Sequence, residues 1–434
     1  MKKPFYVIFY LLVLAGPASW AQFTLSADVR PRAEFRNGFK KPLSKDVDAA
    51  FFVEQRSRLN AEYVSEKFDV YISLQDVRIW GATTQVYKAD PALTNVYAAW
   101  ASYKFNPVHK LVVGRMELDY DNVRILGNLD WAAQGRSHDL LKYEYQGATT
   151  KLHAGAAFNQ DFSTPEPTKF ASTYYSVPNN YKTMQYVWFH KDWSNSGLSV
   201  LFLNNGASAT RSVNGMAYAD STIYFSQTIG AYGTKTLGDI ALEYDGYYQM
   251  GKNPAGAQLA AWMIGANVTI MKSKPNNINV GFDYLSGDKS DTNKDEAFNP
   301  LYGTHHKFYG WMDYFYVGNP HKNRGLVDVF LKAKLKAGPR SSVLVHGHEF
   351  FSQSPIVSND NTKLSSTLGT EVDIVWVANL APGVVFNLGY SQMFASDSLE
   401  FIKDVSNAKS NASWAWAMIS FKPTLFTTKQ ESPK

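Results

Sequence analysis

Nine of the 12 arginines in this chain fall between positions 30 and 136: Arg30, Arg32, Arg36, Arg56, Arg58, Arg78, Arg115, Arg124 and Arg136. A guanidinium is always charged and grips a carboxylate through two parallel hydrogen bonds. A series of them along one wall would pass a polyanion from site to site, and a ring of Arg or Lys selects anions. Carboxylates are interleaved with them, at Glu34, Glu54, Asp76 and Glu117. These acids either flank the same track or pair with the arginines across strands and hold the wall together. Both readings place the same residues on the inside of a channel, and they differ in whether a solute touches them.

The element that must position this set is legible at its first member, FTLSADVRPRAEFRN, residues 23–37. Alternate residues separate into an apolar strip (Phe23, Leu25, Ala27, Val29, Pro31, Ala33, Phe35) and a charged one (Asp28, Arg30, Arg32, Glu34, Arg36). A side-chain period of two means a strand with two unlike faces. A wet inside and an apolar outside is the inverted pattern of a transmembrane β-barrel. Residues 50–64 repeat it: Phe51, Val53, Leu59, Ala61 and Tyr63 alternate with Glu54, Arg56, Arg58, Asn60 and Glu62. So do residues 68–75, with Phe68, Val70, Ile72 and Leu74 outward. Beyond Gln75 the phase slips. A β-bulge there would re-aim Asp76 and Arg78 inward; the other reading is that the strand has already risen above the membrane. Residues 110–118 predict a strand with Arg115 and Glu117 on one face and Val112, Gly114, Met116 and Leu118 on the other. The irregular stretch 119–138 and the proline-bearing polar stretch 163–180 are the candidate constrictions.

Further strands are expected near 96–105, 140–146, 149–162, 182–193, 197–205, 219–232, 238–250, 257–271, 277–286, 306–317, 325–336, 341–352, 366–379, 383–394 and 412–422. With the four above these are 19 spans, and with the even number that barrels prefer about 18 strands are expected, within a range of 16–18, which leaves a polar, aqueous lumen. Aromatic residues make up 15% of the chain, enough for girdles at both membrane surfaces. Lys2 and Lys3, an apolar run from Phe5 to Leu14, and Ser19-Trp20-Ala21 predict a signal peptide over 1–21, cleaved before Gln22. The remainder, 22–434, reads as one all-β antiparallel transmembrane barrel in the outer membrane of a Gram-negative-type cell, in contact with its lipid. The barrel is expected to begin at Phe23 with no plug ahead of it, which points to passive passage. No cysteine is present, so disulfides and thiolate metal sites are excluded. A net charge of +5 is no nucleic-acid footprint.

Other chemistry is thin. In residues 287–296, Asp291, Asn293 and Asp295 have the spacing that opens a calcium loop, but Glu296 stands where the turn glycine belongs. His346 and His348 share a strand face and His305 and His306 are adjacent, yet two histidines without a third ligand make a weak metal signal. His153 with Asp161, or His138 with Asp139, come with no convincing serine nucleophile or oxyanion arrangement. No catalytic residue, cofactor or metal is expected.

Several segments carry a family resemblance: RPRAEFRNG (30–38), QRSRLNAEY (55–63), SLQDVRIWG (73–81), VGRMELDYDNVRILG (113–127), LDWAAQGRSHD (129–139), FDYLSGD (282–288) and LYGTHHKFYGWMDYFYVGN (301–319). With these the chain resembles the alginate export family of outer-membrane porins over essentially its whole length beyond the signal peptide. The resemblance implies an 18-stranded barrel whose arginines conduct a polyuronate. The expected function is therefore passive passage of anionic saccharides, alginate-like polyuronates or their oligomers. The alternatives are a general diffusion porin and, further off, an outer-membrane enzyme or binding barrel with a closed lumen. The sequence names no periplasmic secretion or uptake partner.

Overall fold

The computed structural model describes residues 21–82, 94–159, 180–213, 216–289, 293–317 and 321–428. The expected signal peptide, except Ala21, and the stretch 163–179 lie outside them. The first strands are β1 (Gln22–Asn37), β2 (Ala50–Val64), β3 (Phe68–Ile79), β4 (Thr94–Asn106), β5 (His109–Met116), β6 (His138–Gln146) and β7 (Thr150–Phe158). There follow β8 (Thr183–Trp193), β9 (Ser196–Val213), β10 (Met216–Leu237), β11 (Ile240–Lys252), β12 (Gln258–Ile270) and β13 (Asn277–Leu285). After a two-residue β14 (Lys294–Asp295) come β15 (Leu326–Gly338), β16 (Ser341–Phe351), β17 (Thr367–Ala381), β18 (Val384–Ala395), β19 (Ala412–Phe421) and a short β20 (Thr424–Thr427).

Setting aside β14 and β20, 18 strands pair antiparallel with their neighbours, and β19 pairs back onto β1 from Val29↔Phe421 to Asn37↔Ser413. Closure leaves no unpaired edge, which is the condition for a sheet to cross lipid. No described helix is long and apolar enough to do so. Hairpin turns of two to six residues occupy one rim, and at the other all connections are longer except those of two residues between β9 and β10 and of five between β11 and β12, the asymmetry of an outer-membrane barrel.

Most of the expected alternation is present. Phe51 is 71% exposed on the outer face, while Arg56, five residues on, is fully buried inside. Exposed aromatics cluster at strand ends, with Phe23, Phe68, Tyr103, Phe105, Trp193 and Phe421 on the short-turn rim. Phe35, Phe51, Trp80, Phe158 and Phe394 stand at the other.

The inside departs from a plain wet lumen. Residues 117–137, an inner strap, and residues 298–317, an inner cap, both run within the barrel. They meet at a parallel bridge, Leu126 to Tyr302, closed by Tyr302 N–H donating to Ile125 O (3.0 Å) and Gly127 N–H to Tyr302 O (2.9 Å). Leu118, Tyr120, Ile125 and Leu126 of the strap and Tyr309, Met312, Tyr314 and Phe315 of the cap form one apolar cluster with Met184, Leu203, Met263 and Leu285 of the wall. Each such side chain contributes roughly 1.5–3 kcal/mol through burial.

This cluster explains two corrections. The expected strand over 306–317 is the cap instead: a single 3-10 turn at His305–Lys307 followed by irregular chain. Its alternating aromatics serve an interior contact, and positive φ at Tyr309, Gly310, Asp313 and Tyr316 forbids an extended run. In β5 the expected faces are reversed. Val112 and Met116 point inward and are buried against the strap, and Val113 and Arg115 point outward.

A channel interior with a basic wall, an acidic wall and a strap between them

Strands β1 and β2 bring five of the predicted arginines together. Asp28 faces Arg58 and Arg30 faces Arg56 across the pair. Nη2 of Arg56 donates to Asp28 Oδ2 (2.6 Å) and Nη1 to Asp130 Oδ1 (2.7 Å). Nη1 of Arg30 donates to the Asp130 carbonyl (2.7 Å), and Nη1 of Arg32 to the Trp131 carbonyl (2.8 Å). Arg32 also bonds Glu34 (2.8 Å) and Glu54 (2.9 Å), and Arg36 takes the other Glu34 oxygen (2.8 Å). Nε1 of Trp414 donates to that same oxygen. Arg58 lies 3.4 Å from the Tyr97 ring centroid and donates to Gln75 (2.7 Å). Five arginines thus meet four carboxylates, Asp28, Glu34, Glu54 and Asp130. Burial pushes the Asp130 carboxyl up, and Arg56 and Arg30 outweigh it, so the group sits below the ordinary carboxylate value. Its side chain is 44% exposed, the open end of this otherwise sealed network.

Arg124 leaves this wall and crosses the lumen. Nε donates to Asp245 Oδ2 (3.0 Å) on β11, and Nη2 and Nη1 to the two oxygens of Asp283 (2.6 and 3.0 Å) on β13. Burial opposes its charge, but Asp245 and Asp283 hold it firmly protonated. Arg136 donates to the Gly303 carbonyl (2.9 Å), tying strap to cap. The strap is therefore moored at Asp130 to the basic wall and at Arg124 to the opposite one.

That opposite wall is acidic. Glu243, Asp245, Asp283, Asp328, Glu371 and Asp373 line it, with Lys332 among them. Here the sequence reading missed the functional partners. Asp245 and Asp283 stand on the inward faces of their strands, which was the available signal.

Three predicted site residues are elsewhere. The β2–β3 ladder runs without a slip, so no bulge re-aims Asp76 and Arg78. They stay outward and pair with each other (2.7 Å), with Trp80 beside them bonded to Gln55. The slip lies across on β4, at Tyr97. This polar outer patch places the end of β3 above the apolar band. Arg115 is also outward and pairs with Asp139 (2.9 Å). It does not share a face with Glu117, which turns inward to accept from Tyr97 Oη (2.5 Å) and Asn128 Nδ2 (3.1 Å).

The enzyme-like pairs do not assemble. His138 bonds Tyr181 and His153 bonds Tyr120, Asp139 faces outward, and Asp161 lies outside the described residues. In the stretch 287–296, Asp291 also lies outside them. Asp295 is engaged by Ala297 N–H and Asn253 Nδ2.

Cavities remain on both sides of the strap. One of about 300 Å³ is lined by Glu62, Tyr71, Trp100, Lys110, Lys142 and Glu144. Another of about 720 Å³ is lined by amides and aromatic groups, among them Asn205, Gln249, Asn299, Tyr302 and Tyr316.

Solved structures show the same fold. OccK11 (OpdR) of Pseudomonas aeruginosa is 10% identical with a TM-score of 0.56, over 94% of this chain and 97% of that one. OccK10 (OpdN) of the same organism is 12% identical with a TM-score of 0.59, over 93% and 100%. The outer membrane protein OpdK of that organism is 11% identical with a TM-score of 0.58, over 94% and 98%. At such identities the likeness shows the fold alone. A search among curated proteins finds no match. Residues 21–415 match the family described as alginate export, and the chain belongs to that family of outer-membrane channel barrels.

Proposed function

We propose that the barrel, once its signal peptide is cleaved before Gln22, passes anionic saccharides, alginate-like polyuronates or their oligomers, along the basic wall. The observation that carries this reading is the convergence of Arg30, Arg32, Arg36, Arg56 and Arg58 on one stretch of inner wall. Their partner Asp130 belongs to the strap and is open to the lumen. A uronate carboxylate has the same geometry as Asp130 and competes for the same guanidinium groups. Trp131, held between Arg32 (4.2 Å) and the stacked His306 ring (4.4 Å), keeps the strap's carbonyl and carboxylate groups against the basic wall. Selectivity then arises from displacement: a solute with a carboxylate replaces the strap's own acid, and a neutral one does not.

The second reading, a general diffusion porin, has its own support. Every arginine of the basic wall already has a polar partner, and the facing wall is acidic. Current across a planar bilayer under a salt gradient separates the two. The polyuronate reading expects anion-selective current that oligouronates block. Unselective current with no block would establish the porin instead.

A further inference from the structure

The sequence offers His346 and His348 as a pair without a third ligand; the fold brings the third. His346 stands directly across the β16–β17 ladder from Asp373, and His348 directly across from Glu371. The ligand atoms of His346, His348 and Asp373 all lie within 4.8 Å of one another. That is small enough for one ion at the roughly 2.0–2.2 Å reach of imidazole nitrogen and carboxylate oxygen after minor rotamer adjustment. The patch is His-x-His on one strand against Glu-x-Asp on the next, all facing inward.

The hydrogen bonding around it is that of a ligand set. Asp328 holds Nδ1 of His348 at 2.9 and 3.0 Å, which fixes the tautomer and leaves Nε2 to bind. A carboxylate behind a histidine is the usual support of a metal ligand. Asp373 and Glu371 are both fully buried. Around the Asp373 oxygens stand Ser391, across the β17–β18 ladder, and the adjoining Glu371 carboxyl, and Nδ1 of His346 has no hydrogen-bond partner. Glu371 Oε1 is held by Met312 N–H (2.8 Å), which leaves its second oxygen directed at the cluster. Gly310 of the cap packs so closely that a Cβ there would lie 2.6 Å from the Glu371 carboxyl.

Buried polar groups without partners are costly, and two buried carboxylates side by side more so. Lys332, across the ladder from His346, is near enough to attract Asp373 through space but forms no close ion pair with it among the described residues. One shared proton would hold the two carboxyls together, and a small cation in its place would engage His346 and His348 as well. Trp311 covers His346 at 4.2 Å between ring centroids, and the ring stays partly exposed to the lumen, which gives an entry path.

We propose that His346, His348 and Asp373, with Glu371 beside them, bind one divalent transition-metal ion of the zinc, cobalt or copper type. Two imidazoles and a carboxylate suit these ions rather than calcium or magnesium, which prefer all-oxygen sites. The ion clamps β16 to β17 and neutralises the acidic wall at its most buried point.

The test uses the full-length barrel in detergent, carrying no histidine tag and stripped with a chelator. Co²⁺ titration followed by visible absorption, and Zn²⁺ uptake by equilibrium dialysis, are both expected to give one ion per chain. His346→Asn and Asp373→Asn are expected to weaken binding at least tenfold, with heat-modifiable migration confirming that each variant is folded. His190→Asn is expected to bind as the parent does. Copper bound to the unmutated protein is expected to show hyperfine coupling to two nitrogens, a readout that needs no variant. Absence of binding up to millimolar metal, coupling to fewer than two nitrogens, or one equivalent retained by both folded variants would overturn the assignment.

Discussion

The two walls of the lumen use charge in opposite ways. On β1 and β2, five arginines are nearly balanced by four carboxylates, one of them supplied by the strap and half open to water. On β11 to β17, acids outnumber the wall's own cations, and the strap supplies Arg124 instead. One wall therefore lends cations to the strap and the other borrows one from it. A mooring made of a buried, fully matched guanidinium is structural. A mooring made of an exposed carboxylate on a basic surface is exchangeable. The comparison teaches that Arg124, one of the nine arginines read as solute contacts, is held by two buried acids and serves as a structural mooring.

Removing Arg124 is the harshest way to test that contrast. Arg124→Met leaves Asp245 and Asp283 buried and unpaired, and is expected to destabilise the barrel by about 3–5 kcal/mol. Thermal unfolding in detergent, followed by loss of the β-sheet circular dichroism signal, measures it. The triple variant that also carries Asp245→Asn and Asp283→Asn is expected to recover much of the loss.

At the other mooring, Asp130→Asn is expected to cost only about 1 kcal/mol, because the lost acid is half exposed. Its larger effect is on current, with higher single-channel conductance and more frequent flickering. Acid does the same without a mutation. The Asp130 carboxyl is depressed by Arg56 and Arg30 against the pull of burial, so its contribution is full above the unfolded value of 3.8 and is lost as the pH falls through its lower folded value. The flicker is therefore expected to appear in the parent protein only as the pH falls below the ordinary aspartate value toward the lower folded one, and to be absent in neutral solution.

Selectivity is expected to move in opposite directions on the two walls. Arg32→Gln lowers anion preference and Glu243→Gln, which removes a half-buried acid of the acidic wall, raises it, each by up to about 1 kcal/mol, or roughly fivefold in the permeability ratio. Reversal potentials under a salt gradient read this directly, and the difference shrinks at high salt. The smallest effects belong to Arg78→Ala and Arg115→Ala. Both face outward in exposed pairs, so stability is expected to change by less than about 1 kcal/mol and selectivity not at all. A selectivity change at either would mean that these side chains reach the lumen.

How far the sequence reveals this molecule depends on what lies behind each strand. Where the inner face meets water or charge, as in β1, β2 and β11, alternation is plain, and the inward placement of Arg30 to Arg58 follows from it. Where the inner face meets the strap, both faces are apolar and the phase is lost. That is why β5 reads inside out: Val112 and Met116 look like lipid contacts but pack on an interior core. The cap reads as a strand for the same reason, since Phe308, Met312, Tyr314 and Tyr316 fall on alternate positions and mimic an outward strip. The identity of the strap as an irregular, inward segment was readable; its anchors were not. Arg124 meets acids 121 and 159 residues away, and no local pattern encodes such a distance. Similarly, Asp373 completes the histidine pair only through strand pairing.

The most direct test of the account compares oligouronate block of ionic current in the parent barrel and in Asp130→Asn. If the solute carboxylate replaces Asp130 on Arg30 and Arg56, removing that competitor is expected to tighten block while leaving its voltage dependence similar. Equal block in both proteins, or block unaffected by Arg32→Gln and Arg56→Gln together, would show that the saccharide does not travel along the basic wall.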